Sequence, residues 1–534
     1  MPTSITSHNL HENRGVALAH IGRGTGIIFL GRILERGLRY VYAIILAKTL
    51  GAELFGTFLL GLTVISLAGI ISRLGFDSGV VRYIAVYSGT GDKQRVKGVI
   101  ALSIISSVIV SVLVAAVLFV TAEYLSVRIF RKPQLEGIIK LLSISLPFLS
   151  AAIVALACTQ GFHVMKYIVY GRNLLLPLSN IVLVVLLSLA GLGLMGVGIA
   201  HVASALLACA CSICFVLKAS PHMTNTKTCW ESGPLLRFSV PLLLVSFLNF
   251  LIIWTDTLML GYFRTSPEVG VYSAAMRTAL LIGIVLASLN AVFAPMVSQM
   301  YHTKKFRELE DIFKTVTMWA FTVSFPIFLL MVLLSKEIMG IFGQAFVVGC
   351  IPFVILGFAQ VVNAAAGPVG VIITMSGRQD IMMIDTLGVC LLNILLNWLL
   401  IPAHGMTGAA VASAASLIVF NIVMLVESFI LYGVHPYKRQ FLNPAFVAAA
   451  AFAAALGISR LLEDLHPAPK VGACIAVFAF VFAALLWKIG LSDSDKTLIG
   501  IFRAKLAGSS TRNAPQSNST DFAKVPPVEY QEGA

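Results

Sequence analysis

The chain has 534 residues, of which 58% are hydrophobic and 12% are charged. Soluble globular domains carry about 25% charged residues, so this composition excludes an ordinary water-soluble fold. The formal net charge of +14 would suit nucleic acid, but the Lys and Arg residues lie mostly in alternate loops, as a membrane topology requires. No nucleic-acid partner is therefore expected. Apolar stretches recur along the whole chain, which predicts an all-α polytopic membrane protein.

About fourteen spans are predicted with a window of about 20 apolar residues. The first six lie near residues 25–50, 55–74, 96–120, 137–158, 174–192 and 196–217. The next six lie near residues 235–262, 271–295, 312–334, 351–375, 383–401 and 406–431. The last two lie near residues 441–461 and 471–489. Beyond them, residues 508–534 are polar and are predicted to form a disordered cytoplasmic tail.

The distribution of basic residues predicts the orientation of the chain. If the amino terminus is cytoplasmic, the inside loops carry most of the cations: Arg82, Lys93, Arg95, Lys97, Lys166, Arg172, Lys227, Lys304, Lys305, Arg307, Arg378, Lys438 and Arg439. The outside loops carry fewer: Arg128, Arg131, Lys132, Arg264 and Lys336. We therefore expect a multi-pass protein of the cytoplasmic (inner) cell membrane with both termini in the cytoplasm. No cleaved signal peptide is expected, because residues 1–23 lack an apolar core.

Short segments repeat at a spacing of 206 to 214 residues. The matches pair residues 193–200 with 405–412; Gly161, Gly171 and Arg172 with Gly367, Gly377 and Arg378; and 55–58 with 269–272. The repeating unit is about six helices, and an even number gives both halves the same orientation. A pseudo-two-fold axis along the membrane normal is predicted, with a binding site between the halves near the midplane.

The predicted domain organisation follows from this repeat. It comprises a cytoplasmic amino-terminal segment (1–24), an N-terminal six-helix bundle (25–218), a C-terminal six-helix bundle (234–432), two extra transmembrane helices (441–490) and the tail (508–534). A central cavity is expected between the two bundles.

The first predicted span carries Arg32, Glu35, Arg36 and Arg39 on one helical face, because they follow at i, i+3, i+4 and i+7. A rise of 1.5 Å per residue places Arg39 roughly 16 Å below the outer boundary, near the middle of the bilayer. An Arg there costs about 2.5–3.5 kcal/mol, which disfavours exposure to lipid. We predict that the three arginines face a watery cavity and bind an anionic head group such as pyrophosphate. Alternatively, they snorkel to the interface, or Glu35 and Arg39 pair within the helix.

Two further charged residues fall within predicted spans. Asp256 and Arg277 lie about ten residues to either side of the short loop around Pro267, so a helical hairpin places them at similar depth. An ion pair would neutralise both charges where water is scarce. The alternative is a role for Asp256 in coupling transport to an ion, either H⁺ or Na⁺.

No pattern of catalytic or metal-binding residues is present. Gly191, Gly193 and Gly196 satisfy G-x-G-x-x-G, but the motif joins two spans instead of following a strand, so nucleotide binding is not expected. The chain has no G-x-x-x-x-G-K-[ST] and no H-E-x-x-H. We expect neither a cofactor, nor a metal, nor enzymatic activity.

Several runs resemble one family of membrane proteins when they are taken in order. They are residues 47–58, 74–76 and 81–85; Asp256 with 259–262 ahead of 269–275; Pro295; 341–343; 375–378; and Asn393 with Asn397 before 400–402 and 408–410. Each run is degenerate, but their order and spacing are similar to the polysaccharide-export branch of the multidrug/oligosaccharidyl-lipid/polysaccharide exporter superfamily. The resemblance covers nearly all of residues 25–489.

The resemblance implies a Wzx-type flippase. Such proteins move an oligosaccharide linked to undecaprenyl pyrophosphate to the outer leaflet of a lipid bilayer by alternating access, for assembly into surface polysaccharide such as lipopolysaccharide or exopolysaccharide. It implies two six-helix bundles around a cavity, often with two extra helices. Polysaccharide polymerase or export machinery are the partners implied.

Two alternatives stay open. A drug or cation antiporter of the same superfamily would favour an acidic cavity, whereas the first span is cationic. A membrane polysaccharide polymerase or ligase normally has a large outside loop, and the longest predicted one lies only near residues 121–136.

Overall fold

The computed structural model describes residues 6–162, 164–220, 228–230, 232–438, 440–462 and 467–490. Within these ranges the protein is all-α and has no strand, which confirms the predicted fold class. The predicted tail at 508–534 lies outside the described residues.

The described residues of the first half of the chain form eight helices. They are α1 (Thr6–Arg73), α2 (Phe76–Gly89), α3 (Lys93–Glu123), α4 (Gln134–Ser143), α5 (Leu146–Gly161), α6 (Lys166–Ile168), α7 (Leu176–Leu189) and α8 (Gly193–Ala219). Two π-helical segments, Tyr124–Ile129 and Val169–Leu175, extend α3 and precede α7. The helix α1 begins at Thr6, within the predicted amino-terminal segment.

The described residues of the second half form ten more helices. They are α9 (Ser232–Phe263), α10 (Ser266–Ala279), α11 (Gly283–His302), α12 (Phe306–Leu333), α13 (Ser335–Gly340), α14 (Cys350–Ala366), α15 (Val369–Met375), α16 (Gln379–Tyr432), α17 (Asn443–Leu461) and α18 (Pro467–Leu485). A 3-10 segment, Gln344–Gly349, precedes α14, and a π-helical segment, Leu486–Gly490, follows α18.

Two helices are broken at a glycine with positive φ. In α1 the break is at Gly51 (φ 70°, ψ 176°), and in α16 it is at Gly405 (φ 55°, ψ −135°). Only glycine adopts these angles without steric cost. The helix α16 folds back on itself there. As a result, the Asn393 amide lies 3.5 Å from the Ser413 hydroxyl on the other side of the break.

Eleven helices of the described residues are long and apolar enough to cross a membrane, or twelve if α4 and α5, which meet at 45°, form one bent span. The predicted count of fourteen requires that α1 and α16 each cross twice. It therefore stays a prediction, as do the predicted domain boundaries.

The helices fall into two groups that correspond to the sequence repeat. Helices α2–α8 pack mainly on each other and on α1, and helices α9–α16 pack mainly on each other. The groups meet most closely where the second half of α1 crosses α10, at Gly56 and Gly270, the two glycines that the repeat equates. Phe55, Tyr272 and Phe346 are fully buried around this crossing. Helices α17 and α18 pack on each other, and α17 also packs on α12.

One end of the bundle, here called the Arg264 end, is held by contacts between the groups. Lys132, in the loop before α4, donates from Nζ to the carbonyls of Gly261 and Arg264, the latter at 2.7 Å. Arg264 in turn donates from Nη2 to the Pro402 carbonyl at 2.8 Å, near the break in α16. Toward the other end, α2 packs on α9, where Tyr83 Oη donates to the Pro234 carbonyl at 3.1 Å.

Candidate functional site

A cavity of about 350 Å³ lies between the two helix groups and is called the arginine cavity here. Its lining comes from α1, α10, α11, α14 and the turn after α10: Arg36, Arg39, Tyr40, Arg277, Leu280, Leu281, Gly283, Ile284, Gln360 and Asn363. The Tyr40 hydroxyl lies 3.2 Å from the Thr278 hydroxyl, which ties the α1 wall to the α10 wall. Three arginines, drawn from both groups, therefore line one cavity.

The two arginines of α1 are exposed in the cavity wall. Arg39 lies twelve residues before the break at Gly51, which places it about 18 Å from that end of the helix. Its Nη2 lies 2.9 Å from Glu35 Oε1, so the pair within the helix is formed, and yet 51% of the Arg39 side chain stays exposed. Arg36 makes no salt bridge within the described part of the chain. The side chain of Arg32, the third predicted site residue, lies outside the described residues.

Arg277 is half-buried on α10, eleven residues after Ser266, and so lies about 16 Å from the Arg264 end. This is close to the depth of Arg39. The predicted ion pair with Asp256 is not formed. Arg277 faces the arginine cavity, and neutral side chains bind Asp256 instead. Equal depth in a hairpin does not fix the face of the helix from which each side chain projects.

Asp256 on α9 is 2% exposed and is held by a ring of neutral hydrogen-bond donors. They are the Tyr272 hydroxyl on α10, the Asn397 amide at 2.7 Å and the Ser413 hydroxyl. The same Asn397 amide donates to Asn393 Oδ1 at 3.0 Å. The two Asn residues precede the break in α16 and Ser413 follows it. Among the described residues, no Lys, Arg or His forms a salt bridge with Asp256.

A second cavity of about 370 Å³ borders this ring, with Asp256, Tyr272, Asn393 and Ser413 in its wall. It shares Leu280 and Gln360 with the arginine cavity, so the two cavities are neighbours. A buried carboxylate without a counter-ion is costly in a membrane. The oxygen atoms of Asp256, Asn393 and Ser413 are hard ligands, of the kind that binds a proton or a small hard cation. No group of three His, Cys, Asp or Glu side chains that suits a metal occurs among the described residues.

The sequence did not predict the hydrogen-bond partners of Asp256 or the position of Arg277 in the arginine cavity. Asn393 and Asn397 lie at i, i+4 in an otherwise apolar span. Because polar side chains are costly at this depth, that pattern was an available signal for a polar cluster. No spacing in the sequence indicated that Arg277 lines the same cavity as the α1 arginines.

Many membrane transporters are built from two groups of helices related by a repeat, with a cavity lined by both groups. The family described as "Polysaccharide biosynthesis protein" matches residues 21–301, and the family MatE matches residues 241–399. The first match covers more than half of the chain, and the chain belongs to that family. It is a member of the polysaccharide-flippase branch of the multidrug/oligosaccharidyl-lipid/polysaccharide exporter superfamily, as the resemblance implied.

Two relatives from Haloferax volcanii are flippases by name. The chain is 26% identical over 171 residues to the "Probable low-salt glycan biosynthesis flippase Agl15", a match of 32% of this chain and 36% of that protein. It is 25% identical over 244 residues to the "Probable flippase AglR", a match of 43% and 48%. The matches thus span less than half of either relative.

The fold is similar to that of the "Lipid II flippase MurJ, inward closed conformation". The TM-score is 0.68 at 14% sequence identity, and the match covers 90% of this chain and all of that one. The family and the fold together place the protein among multi-pass membrane proteins of the exporter superfamily.

Proposed function

We propose that the protein is a flippase that moves a lipid-pyrophosphate-linked oligosaccharide across the cytoplasmic membrane for surface polysaccharide biosynthesis. The observation that carries the proposal is the arginine cavity, in which Arg36, Arg39 and Arg277 come from both helix groups. The similarity to the "Probable low-salt glycan biosynthesis flippase Agl15" supports the same class of substrate.

The charge of the cavity selects the substrate. Each Arg near the middle of a bilayer costs about 2.5–3.5 kcal/mol. Among the described residues, the salt bridge of Arg39 with Glu35 is the only one that engages these three arginines. An anionic ligand offsets this cost, and a guanidinium binds phosphate oxygens through two parallel hydrogen bonds. Attraction is stronger in a partly desolvated cavity than in water. A pyrophosphate has the charge and the oxygens to engage more than one of these arginines.

Alternating access supplies the translocation step. The pyrophosphate and sugar enter the arginine cavity while the lipid tail stays in the bilayer. The two groups then rock about the crossing of α1 and α10, and the contacts of Lys132 with Gly261 and Arg264 break. In the predicted orientation both termini are cytoplasmic and the Arg264 end faces outward, where polymerase or export machinery would receive the product.

Asp256 is the residue proposed to couple transport to an ion. Its carboxylate lies in the wall of the second cavity, which neighbours the arginine cavity, and has only neutral partners among the described residues. A proton or Na⁺ entering or leaving the ring changes the charge next to a site that binds an anion. Arg277 has no part in this ring and belongs to the substrate site.

The test is complementation in a gene-deletion strain of the source organism. Surface polysaccharide and lipid-pyrophosphate-linked oligosaccharide are measured together after wild-type, Arg36→Ala/Arg39→Ala, Arg277→Ala or Arg128→Ala genes are restored at equal protein levels. Arg128 is the matched control, because it is exposed and lines neither cavity. We expect wild type and Arg128→Ala to restore surface glycan, and the cavity variants to leave precursor trapped inside.

Two results would contradict the proposal. If the cavity variants restored surface glycan fully, the arginines would not be required for transport. Unchanged glycan and precursor in the deletion strain, with no second flippase present, would instead favour the drug or cation antiporter, for which the carboxylate of Asp256 in its apolar cavity is the feature to test.

A further inference from the structure

The break in α16 is capped on both sides by side chains from the turn between α9 and α10. Before the break, Arg264 donates from Nε to the Ile401 carbonyl at 3.1 Å and from Nη2 to the Pro402 carbonyl at 2.8 Å. After the break, Glu268 Oε2 accepts from the backbone N–H of Met406 at 3.2 Å. The last carbonyls of a helix favour a cation, and its first N–H groups favour an anion. Each half of α16 therefore meets the charge that its dipole favours.

Gly405 and Glu268 fit each other at this break. Gly405 has a φ of 55°, and a Cβ at this position would overlap the Glu268 carboxylate. Glycine is thus needed there both for its backbone angles and for the space that Glu268 occupies. Arg264 and Glu268 are four residues apart and belong to one short turn, so this turn holds the ends of both half-helices. The two residues are called the α16 clamp here.

The same break determines the geometry of the ring around Asp256. Asn397 lies eight residues before Gly405 and Ser413 lies eight residues after it, so each is about 12 Å from the break. Asn397 donates to Asp256 Oδ1 at 2.7 Å, and Ser413 donates to Oδ2. A change of about 10° in the angle between the half-helices would move one donor by about 2 Å relative to the other, which is enough to break a hydrogen bond. The ring therefore forms only over a narrow range of this angle.

The α16 clamp is also bonded to the other helix group. Lys132 donates from Nζ to the carbonyls of Gly261 and Arg264, while the Arg264 side chain donates to α16. The backbone and the side chain of one residue thus join the contact that closes the Arg264 end to a cap of the broken helix. Because hydrogen-bond networks of this kind carry coupling between sites, movement of α9 away from Lys132 would also displace the clamp.

We propose that Arg264 and Glu268 are positioning residues that couple the closure of the Arg264 end to the ring around Asp256. When the Lys132 contacts break, the clamp shifts, the angle at Gly405 changes and the donors of the ring separate. Because coupling between two equilibria is reciprocal, a change in the charge of Asp256 also alters the closure of the Arg264 end. The coupling depends on these contacts alone, and only the ion that it would control rests on the proposed function.

A double-mutant cycle on the purified full chain in detergent tests the coupling. Hydrogen exchange is measured over residues 130–135, the loop of the other helix group that carries Lys132, with and without Asp256→Asn. This substitution replaces charge-assisted hydrogen bonds in the ring by weaker neutral ones. We expect it to speed exchange in the loop by at least about fivefold, the lower end of measured couplings between sites. In the Glu268→Ala background, which lacks one cap, it should change exchange by less than about twofold, as independent sites do.

Two further variants separate the clamp from a general loss of structure. Glu53→Ala is the matched control: Glu53 is an exposed carboxylate in the same polar pocket as Glu268, but among the described residues it is Glu268 that caps Met406. The effect of Asp256→Asn should persist in full in this control. Glu268→Gln keeps an oxygen that accepts from Met406, so this conservative variant should restore most of the effect.

Two outcomes would overturn the proposal. If Asp256→Asn left exchange over residues 130–135 unchanged in the otherwise wild-type chain, the ring and the closure would not be coupled. If its effect were equal in the Glu268→Ala and Glu53→Ala backgrounds, the clamp would not carry the coupling. Should Glu268→Ala fail to fold, Arg264→Lys takes its place, because it keeps the charge and loses the planar pair of donors; an undiminished effect there would also exclude the clamp. The measurement contains no substrate, so neither outcome decides whether the protein is a flippase.

Discussion

Gly56 on α1 and Gly270 on α10 make the same contact in opposite directions. A Cβ on Gly56 would lie 1.9 Å from the Ser266 carbonyl oxygen, and a Cβ on Gly270 would lie 2.4 Å from the Ala52 carbonyl oxygen. Each glycine also approaches the backbone nitrogen of the other. Because the repeat equates these two positions, this reciprocity is what a two-fold axis between the helix groups requires. Small residues allow such close approach between membrane helices.

Gly56→Ala should destabilise the protein by about 1–3 kcal/mol, because a backbone carbonyl occupies the space of the new methyl group. Gly270→Ala should have a similar effect because the contact is reciprocal. Thermal unfolding in detergent measures the change. Gly457→Ala is the control, since its Cβ meets nothing within 4 Å, and it should be neutral or stabilising by up to about 1 kcal/mol. Equal unfolding temperatures of all three variants would contradict a close crossing of α1 and α10.

Glu35→Gln should strengthen the binding of inorganic pyrophosphate to the arginine cavity. The substitution removes the carboxylate that lies 2.9 Å from Arg39. One charge at roughly 7 Å in bulk water changes affinity by about threefold, and by more in a drier cavity. Isothermal titration compares it with Glu136→Gln, which breaks an equivalent pair with Lys140 on α4. Weaker binding after Glu35→Gln would show that the pair, and not the free guanidinium, organises the site.

Asp256→Asn should abolish transport without lowering thermal stability, because the variant removes a buried charge and keeps the shape of the side chain. The hydroxyls of Tyr272 and Ser413 can rotate to accept from the new amide. Complementation and thermal unfolding are measured together, with the exposed Asp311→Asn as the control. Full transport by Asp256→Asn would exclude an ion-coupling role for this carboxylate.

Lys132→Met should loosen the Arg264 end, because Lys132 donates to two carbonyls of the other helix group. Hydrogen exchange in the segment 261–268 should become faster. Lys140→Met is the matched control, since Lys140 pairs with Glu136 on its own helix and lies over the Phe119 ring of α3, both in its own helix group. Its loss should leave that segment unchanged. Identical exchange in the two variants would mean that Lys132 does not hold the groups together.

The contact of Lys132 should also depend on pH. Burial lowers the pKa of Lys132 from 10.5 to about 8, and Glu268 opposes the shift. The folded protein therefore binds fewer protons than the unfolded chain between pH 8 and 10.5, so the contribution of Lys132 to stability rises with pH in that window. The difference in unfolding temperature between wild type and Lys132→Met should grow from pH 7 to pH 10. A difference that shrinks would contradict the shift.

Local patterns in the sequence determined the membrane class, the two-fold relation and the position of the α1 arginines. Apolar stretches gave the membrane class because a span must satisfy its own backbone hydrogen bonds. The match of residues 55–58 with 269–272 predicted the two-fold relation that Gly56 and Gly270 display. The spacing of Arg36 and Arg39 placed them on one face of α1, and both line one cavity.

Only the tertiary structure decided which side chains meet across helices. It placed Arg277 beside the α1 arginines. It also placed the Asp256 carboxylate where it accepts hydrogen bonds from Tyr272, Asn397 and Ser413. These contacts depend on how each helix is rotated about its axis and on where α16 folds back at Gly405. Rotation is set by packing among neighbouring helices, and a partner 141 residues away in the chain, as Asn397 is from Asp256, has no local signature in the sequence.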